Sequence, residues 1–181
     1  MNRINTAIED CFIIEPTVFK DKRGYFLETF NQRTFNKLAG FDINFIQDNE
    51  SFSSKGVLRG LHYQTGDHAQ AKLVRVIKGT ALDIAVDTRK GSKTFGEYVS
   101  IELSEENKKQ FFVPRGFAHG FIVLSETAIF SYKCDNFYNK EAEGGIIYND
   151  PTLNIDWQLS QKELIVSEKD TILPKLQDAK L

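Results

Sequence analysis

Histidine is scarce in this chain: His62, His68 and His119 are the three in 181 residues, and the cysteines are two, Cys11 and Cys134. There is no His-x-His and no cysteine pair at chelating spacing. The clustered donors of a β-barrel metal site are therefore missing, and a metal is disfavoured. No apolar stretch approaches the ~20 residues of a membrane span, and no long basic run offers a surface to nucleic acid. The two charge signs nearly balance, with 23 Lys and Arg against 25 Asp and Glu. No glycine-rich loop runs into Lys-Ser or Lys-Thr, which excludes a P-loop. The opening Met1-Asn2-Arg3-Ile4-Asn5-Thr6 has neither the apolar core nor the small-residue cleavage pattern of a secretory signal. The expected compartment is therefore the cytoplasm, with both cysteines reduced and packed as small hydrophobes. Repeats, low-complexity tracts and linkers are also lacking, so residues 1–181 read as a single domain, large enough to form a core without disulfides.

What is present is a dense succession of strand-like runs. Segments rich in Val, Ile, Phe, Tyr and Thr recur between Gly, Asp and Asn turns at 12–14, 24–30, 44–53, 57–64, 72–78, 80–87, 95–103, 110–113, 120–125 and 128–135. So many close-set strands predict an all-β sandwich or barrel with a few short helices. Lys78-Gly79 sits between two apolar arms and predicts a hairpin of two central strands. The best helix is 31–40, where Phe35 and Leu38 are spaced three apart and Gly40 is placed to end it. Ser160 and Ser167 are expected to start short helical turns at 160–163 and 167–170.

The segment Val57-Leu58-Arg59-Gly60-Leu61-His62-Tyr63-Gln64 puts a guanidinium three residues from an imidazole inside an apolar strand. Strict pleating would send Arg59 and His62 to opposite faces. Gly60 is where a bulge could re-aim one of them; the plainer reading is that both are merely solvated. His68, in a polar loop, reads as a surface residue. His119, in Val113-Pro114-Arg115-Gly116-Phe117-Ala118-His119-Gly120, has two open readings: a satisfied core histidine, or a polar tip at a site.

Taken in order, Arg23-Gly24-Tyr25-Phe26-Leu27-Glu28-Thr29-Phe30, Gln47-Asp48-Asn49, the 57–64 strand, His68-Ala69-Gln70-Ala71-Lys72-Leu73-Val74-Arg75-Val76, the 113–120 segment, Tyr132-Lys133-Cys134 and Ser167-Glu168-Lys169-Asp170 resemble the dTDP-4-dehydrorhamnose 3,5-epimerases over nearly the whole chain. The resemblance implies a double-stranded β-helix of the cupin or jelly-roll type. It also implies a homodimer, and catalysis with neither metal nor nucleotide cofactor. The implied substrate is dTDP-4-dehydro-6-deoxy-D-glucose, whose C4 ketone makes the hydrogens on C3 and C5 acidic. Inversion then needs a base, a stabiliser for the enolate and an acid on the opposite face.

By resemblance, His62 is the base, since an imidazole titrates near neutrality. Asp170 is the carboxylate that orients it. Lys72 is the enolate stabiliser, and Tyr132, whose phenol keeps its proton at neutral pH, is the acid. Arg23 and Arg59 are implied at the diphosphate, where guanidinium forks suit phosphate oxygens. Glu28, Gln47, Asp48, Asn49, His119, Glu143 and Lys169 match positions that contact nucleotide or sugar, with Asp48 possible through its backbone. Tyr138 is open between stacking on thymine and core packing. One departure is Gly66-Asp67 in place of prolines before His-Ala-Gln, which alters loop stiffness alone. Two rival functions stand beside this one: an epimerase acting at C3 or C5 only, and a non-catalytic jelly roll that binds a sugar nucleotide. A metal-dependent cupin is a third.

Overall fold

The computed structural model describes all residues, 1–181. Its strands are β1 (Asn2–Asn5), β2 (Phe12–Glu15), β3 (Val18–Asp21), β4 (Gly24–Leu27), β5 (Gln47–Ser54), β6 (Val57–Gln64), β7 (Lys72–Lys78), β8 (Thr80–Asp87), β9 (Tyr98–Ser104), β10 (Gln110–Val113), β11 (Phe117–Val123), β12 (Thr127–Cys134), β13 (Glu143–Gly145) and β14 (Ile165–Val166). Helix α1 spans Gln32–Ala39 and α2 Glu168–Thr171. One sheet runs β1-β2-β10-β7-β12-β5 and a second β13-β6-β11-β8-β9, with β14 added parallel to β6. The strands β3 and β4 form a separate hairpin. The fold is a cupin-like jelly roll.

Layering explains the composition of the strands. The inner faces of the two sheets meet in one core built around Val74, Val76, Phe111, Phe121 and Phe130. The outer face of the first sheet packs Phe12, Leu73 and Phe112 against Phe35 and Ala39 of α1. The outer face of the second sheet packs Leu58, Ile84 and Ile122 against Ile146, Leu153, Trp157 and Leu176 of the C-terminal segment. Central strands such as β8 and β11 are thus apolar on both faces and lose the alternation of a half-exposed strand. At the edge, β5 keeps it: Gln47, Asn49, Ser51 and Ser53 turn inward while Asp48, Glu50 and Phe52 face out.

The expected hairpin at Lys78-Gly79 does not form. β7 pairs with β10 and β12, whereas β8 pairs with β9 and β11, so the turn carries the chain from one sheet into the other. Gly79 has φ of 79°, and a Cβ there would lie 2.1 Å from the Thr127 carbonyl oxygen. The glycine permits a sheet-to-sheet corner, and local turn chemistry is the same for both outcomes. Helix α1 follows its sequence signals: the Asn31 side chain accepts from the Thr34 N–H, and Gly40 ends the helix in the left-handed region. Ser160 begins a 3₁₀ turn at Gln161–Glu163, and Ser167 caps α2. The strands expected at 24–30 and 95–103 are shorter, at Gly24–Leu27 and Tyr98–Ser104. No helix is long and apolar enough to cross a membrane.

Candidate active site

A cavity of about 480 Å³ opens between the two sheets, lined by Arg59, His62, Lys72, His119, Tyr132, Lys169 and Asp170 among others. A recess of about 270 Å³ adjoins it, shares His62, Lys72 and Tyr132, and adds Gln47, Asn49, Tyr138 and Glu143. Arg59 and His62 reach one cavity because the β6–β11 ladder is irregular. His119 faces His62 and Phe121 faces Arg59, so two steps along β11 match three along β6. Gly60, at φ of 112°, is the residue that allows it: a Cβ would stand 2.6 Å from the His119 carbonyl oxygen and 2.7 Å from Gly120 Cα. A side chain on Gly60 would push the strands apart at the site.

His62 comes from the second sheet and its Nε2 lies 2.7 Å from Asp170 Oδ1. Asp170 is 4% exposed at its side chain and rides on α2, whose Ser167 cap fixes the start of the turn. Its other oxygen accepts the Gly60 N–H at 3.3 Å. Burial pushes the Asp170 carboxyl up, but the His62 hydrogen bond and charge and the Gly60 N–H outweigh it and hold the group below the usual range. An ionised Asp170 accepts from Nε2–H, which leaves Nδ1 of His62 with its lone pair free to take a proton.

Lys72 and Tyr132 come from the first sheet, on the neighbouring strands β7 and β12. The ion pairs of this protein use other cations, so the Lys72 ammonium is left to the cavity. Burial lowers its pKa, against the pull of Cys134, Asp83 and Glu143. Burial raises the Tyr132 phenol, as does Cys134, while Arg59 opposes; the phenol therefore keeps its proton at neutral pH. Base and acid thus project from opposite sheets into one space, with the Lys72 ammonium lining it from the strand next to Tyr132. At the mouth, Glu143 accepts from the Tyr138 hydroxyl at 2.8 Å and pairs with Lys169. Arg59 Nε donates to Ser53 Oγ at 3.2 Å and keeps its remaining donors for a ligand.

Three of the residues implied by resemblance stand apart. The Asp48 side chain faces out of the sheet and pairs with Lys133 at 2.9 Å, leaving only its backbone beside the site. Arg23 and Glu28 belong to the β3–β4 hairpin and the strand exit after it, where Arg23 pairs with Asp21 and Glu28 accepts from Asn31. His68 is exposed, on the 3₁₀ turn Gly66–His68. His119 is 7% exposed and yet on the cavity wall, with its Nε2 at 3.0 Å from both oxygens of Asp83. Asp83 was not singled out by motif. Its signal is a carboxyl in the middle of Ala81-Leu82-Asp83-Ile84-Ala85, a run otherwise apolar. No group of three or more His, Cys, Asp or Glu side chains is placed to hold a metal ion.

The family model described as dTDP-4-dehydrorhamnose 3,5-epimerase matches residues 5–178. The chain belongs to that family. It is 52% identical over 178 residues to the dTDP-4-dehydrorhamnose 3,5-epimerase of Salmonella typhimurium, covering 98% of this chain and 97% of the relative. The crystal structure of the enzyme of that name from Elizabethkingia anophelis is 58% identical, with a TM-score of 0.95 over 98% of this chain and 97% of that one. The dTDP-6-deoxy-D-glucose-3,5-epimerase of Legionella pneumophila, solved in complex with dTDP-4-keto-L-rhamnose, is 50% identical with a TM-score of 0.94, covering 98% of this chain and 93% of that one. Members of this family are isomerases.

Proposed function

We propose that this protein epimerises dTDP-4-dehydro-6-deoxy-D-glucose at C3 and C5 to dTDP-4-dehydro-L-rhamnose, a step of dTDP-L-rhamnose biosynthesis. The observation that carries the reading is the projection of His62 and Tyr132 from opposite sheets into one cavity that the unpaired Lys72 also lines. Nδ1 of His62 takes the proton from a carbon next to the C4 ketone, and Asp170 stabilises the imidazolium that results. The electrons pass to the C4 oxygen, where the Lys72 ammonium holds the enolate. Tyr132 returns a proton from the other face, and the configuration inverts. Arg59 and Lys169 supply positive charge for a diphosphate, and Tyr138, exposed beside the adjoining recess, suits stacking on a base. No step calls for a metal or a redox cofactor.

The functional unit in this reading is a homodimer. The β3–β4 hairpin exposes Phe19, Tyr25 and Phe26 and carries Arg23, with Glu28 just beyond it, outside their own chain's cavity. An exposed apolar hairpin whose guanidinium pairs only with Asp21 of the same hairpin suits insertion against a second copy, which would bring both residues to the partner's site. The cytoplasm is the compartment read for it, in keeping with two buried free thiols, Cys11 and Cys134.

The test is turnover of dTDP-4-dehydro-6-deoxy-D-glucose in D₂O followed by NMR. Deuterium is expected at both C3 and C5, and absent with His62→Ala. Label at one carbon would select an epimerase of narrower scope, and bound substrate without label would leave a binding protein.

A further inference from the structure

The carboxylate that orients His62 stands on a small support. Asp170 rides on the four-residue helix α2, and Ile172, which follows that helix, is 83% exposed. Before α2 the chain is fixed by the pairing of β14 with β6. After α2 its fixed points belong to the segment 145–150. Leu173 closes directly on Gly145, where a Cβ would lie 2.8 Å from both of its methyl carbons. Gly145 lies opposite His62, and Ile146 and Leu61 exchange both backbone hydrogen bonds, at 3.2 and 2.9 Å. Ile147 donates its N–H to the Pro174 carbonyl at 2.8 Å, and the Asp150 carboxylate accepts the Leu176 N–H at 2.6 Å. One short segment therefore grips the strand of His62 on one side and the chain leaving Asp170 on the other.

Asp150 is the part of this grip that its own turn does not explain. It is 1% exposed, and no cation pairs with it. A buried carboxylate without a cation is costly unless hydrogen-bond donors surround it. Its Oδ1 accepts from the Thr152 N–H at 2.7 Å and the Thr152 hydroxyl at 2.6 Å, and these bonds close the local turn. Asparagine would serve such a turn as well. Its Oδ2 reaches out instead, to a residue 26 positions along the chain. Leu176 begins a 3₁₀ turn and is buried against the second sheet, so without Asp150 its N–H loses its acceptor in a place water does not reach.

We propose that Asp150 is a positioning residue for the base: by pinning Leu176 it sets the path of the chain leaving α2, and so holds the Asp170 carboxylate against His62. Asp150 lines neither the cavity nor the recess beside it, so it acts through Asp170 and not on a ligand. The effect on turnover rests on the function proposed above; the coupling of Leu176 to Asp170 does not.

The experiment has two readouts. The first is native-state hydrogen exchange of the ligand-free wild-type protein. The Gly60 N–H, which donates to Asp170, and the Leu176 N–H, which donates to Asp150, are expected to exchange through one shared opening with the same denaturant dependence. A Leu176 opening that leaves Gly60 protected overturns the inference, with no variant or substrate involved. In kinetics, Asp150→Ala is expected to lower kcat about 10²-fold, the effect of a small misplacement at the reacting groups, with dTDP affinity within about threefold. In an Asp170→Asn background the same substitution is expected to leave kcat within about threefold, since the group it acts through is already lost. Wild-type kcat in a folded Asp150→Ala protein, or the full loss repeated in the Asp170→Asn background, overturns it. If the wild-type protein turns over no dTDP sugar, the proposed function fails and the exchange result still decides whether the Asp150 pin and Asp170 move together.

Discussion

Two histidine–aspartate pairs face each other across the β6–β11 ladder, and their surroundings drive the two carboxyls in opposite directions. Asp170 sits at a helix start, accepts the Gly60 N–H as well as His62, and is held below the ordinary carboxylate range. Asp83 sits among apolar residues with His119 as its single partner, and burial raises it. The same two residue types thus yield an anionic orienter of a base in one place and, in the other, a carboxyl that burial raises. The number of hydrogen-bond donors around each carboxyl makes the difference.

The largest break in this comparison comes from Asp170→Asn. An amide there no longer stabilises an imidazolium, and turnover is expected to fall by up to about 10⁴-fold, with substrate affinity retained. His62→Ala should cost about 10²–10⁴-fold and remove exchange at both carbons. Removing the cavity's unpaired cation comes next: Lys72→Met is expected to lower kcat about 10²–10³-fold. Because burial lowers the Lys72 pKa, wild-type kcat/KM should fall with rising pH before an ordinary lysine titrates, as the ammonium is lost. A pH profile of Lys72→Arg should move that limb upward.

The two carboxyls also predict opposite stability slopes. Asp170, depressed in the native state, contributes stability that is present above the ordinary carboxylate range and lost as pH falls through its native value. Asp83, raised in the native state, binds more protons folded than unfolded, so stability falls as pH climbs from the ordinary range through its native value. Urea midpoints across acidic pH should therefore change slope in opposite senses for Asp170→Asn and Asp83→Leu. The smallest effect belongs to the outward-facing carboxylate of β5. Asp48→Ala breaks only an exposed pair with Lys133 and should change stability by less than about 1 kcal/mol.

Much of this was legible in the sequence, and the misreadings have physical causes. The strands 57–64, 72–78, 80–87 and 110–113 were visible because β-branched and aromatic runs ended at turn residues. The helix at 31–40 showed through its Asn31 and Gly40 ends. Sheet membership was not visible, since the Lys78-Gly79 turn has the same local chemistry whether the next strand pairs back or crosses over. The meeting of Arg59 and His62 depended on an irregularity that Gly60 only permits. Asp83 was hidden by the usual reading of an apolar run as pure core. Arg23 and Glu28 matched the family's motif, yet no single-chain pattern says that a hairpin holds them away from the cavity.

The central claim is that base and acid act from opposite sheets. The most direct measurement is position-resolved deuterium incorporation by Tyr132→Phe acting on dTDP-4-dehydro-6-deoxy-D-glucose in D₂O. The account predicts that His62 still removes and returns protons from its own side, giving deuterium exchange with little inversion. Inversion at the wild-type rate, or loss of exchange together with inversion in a folded, ligand-binding protein, would contradict it.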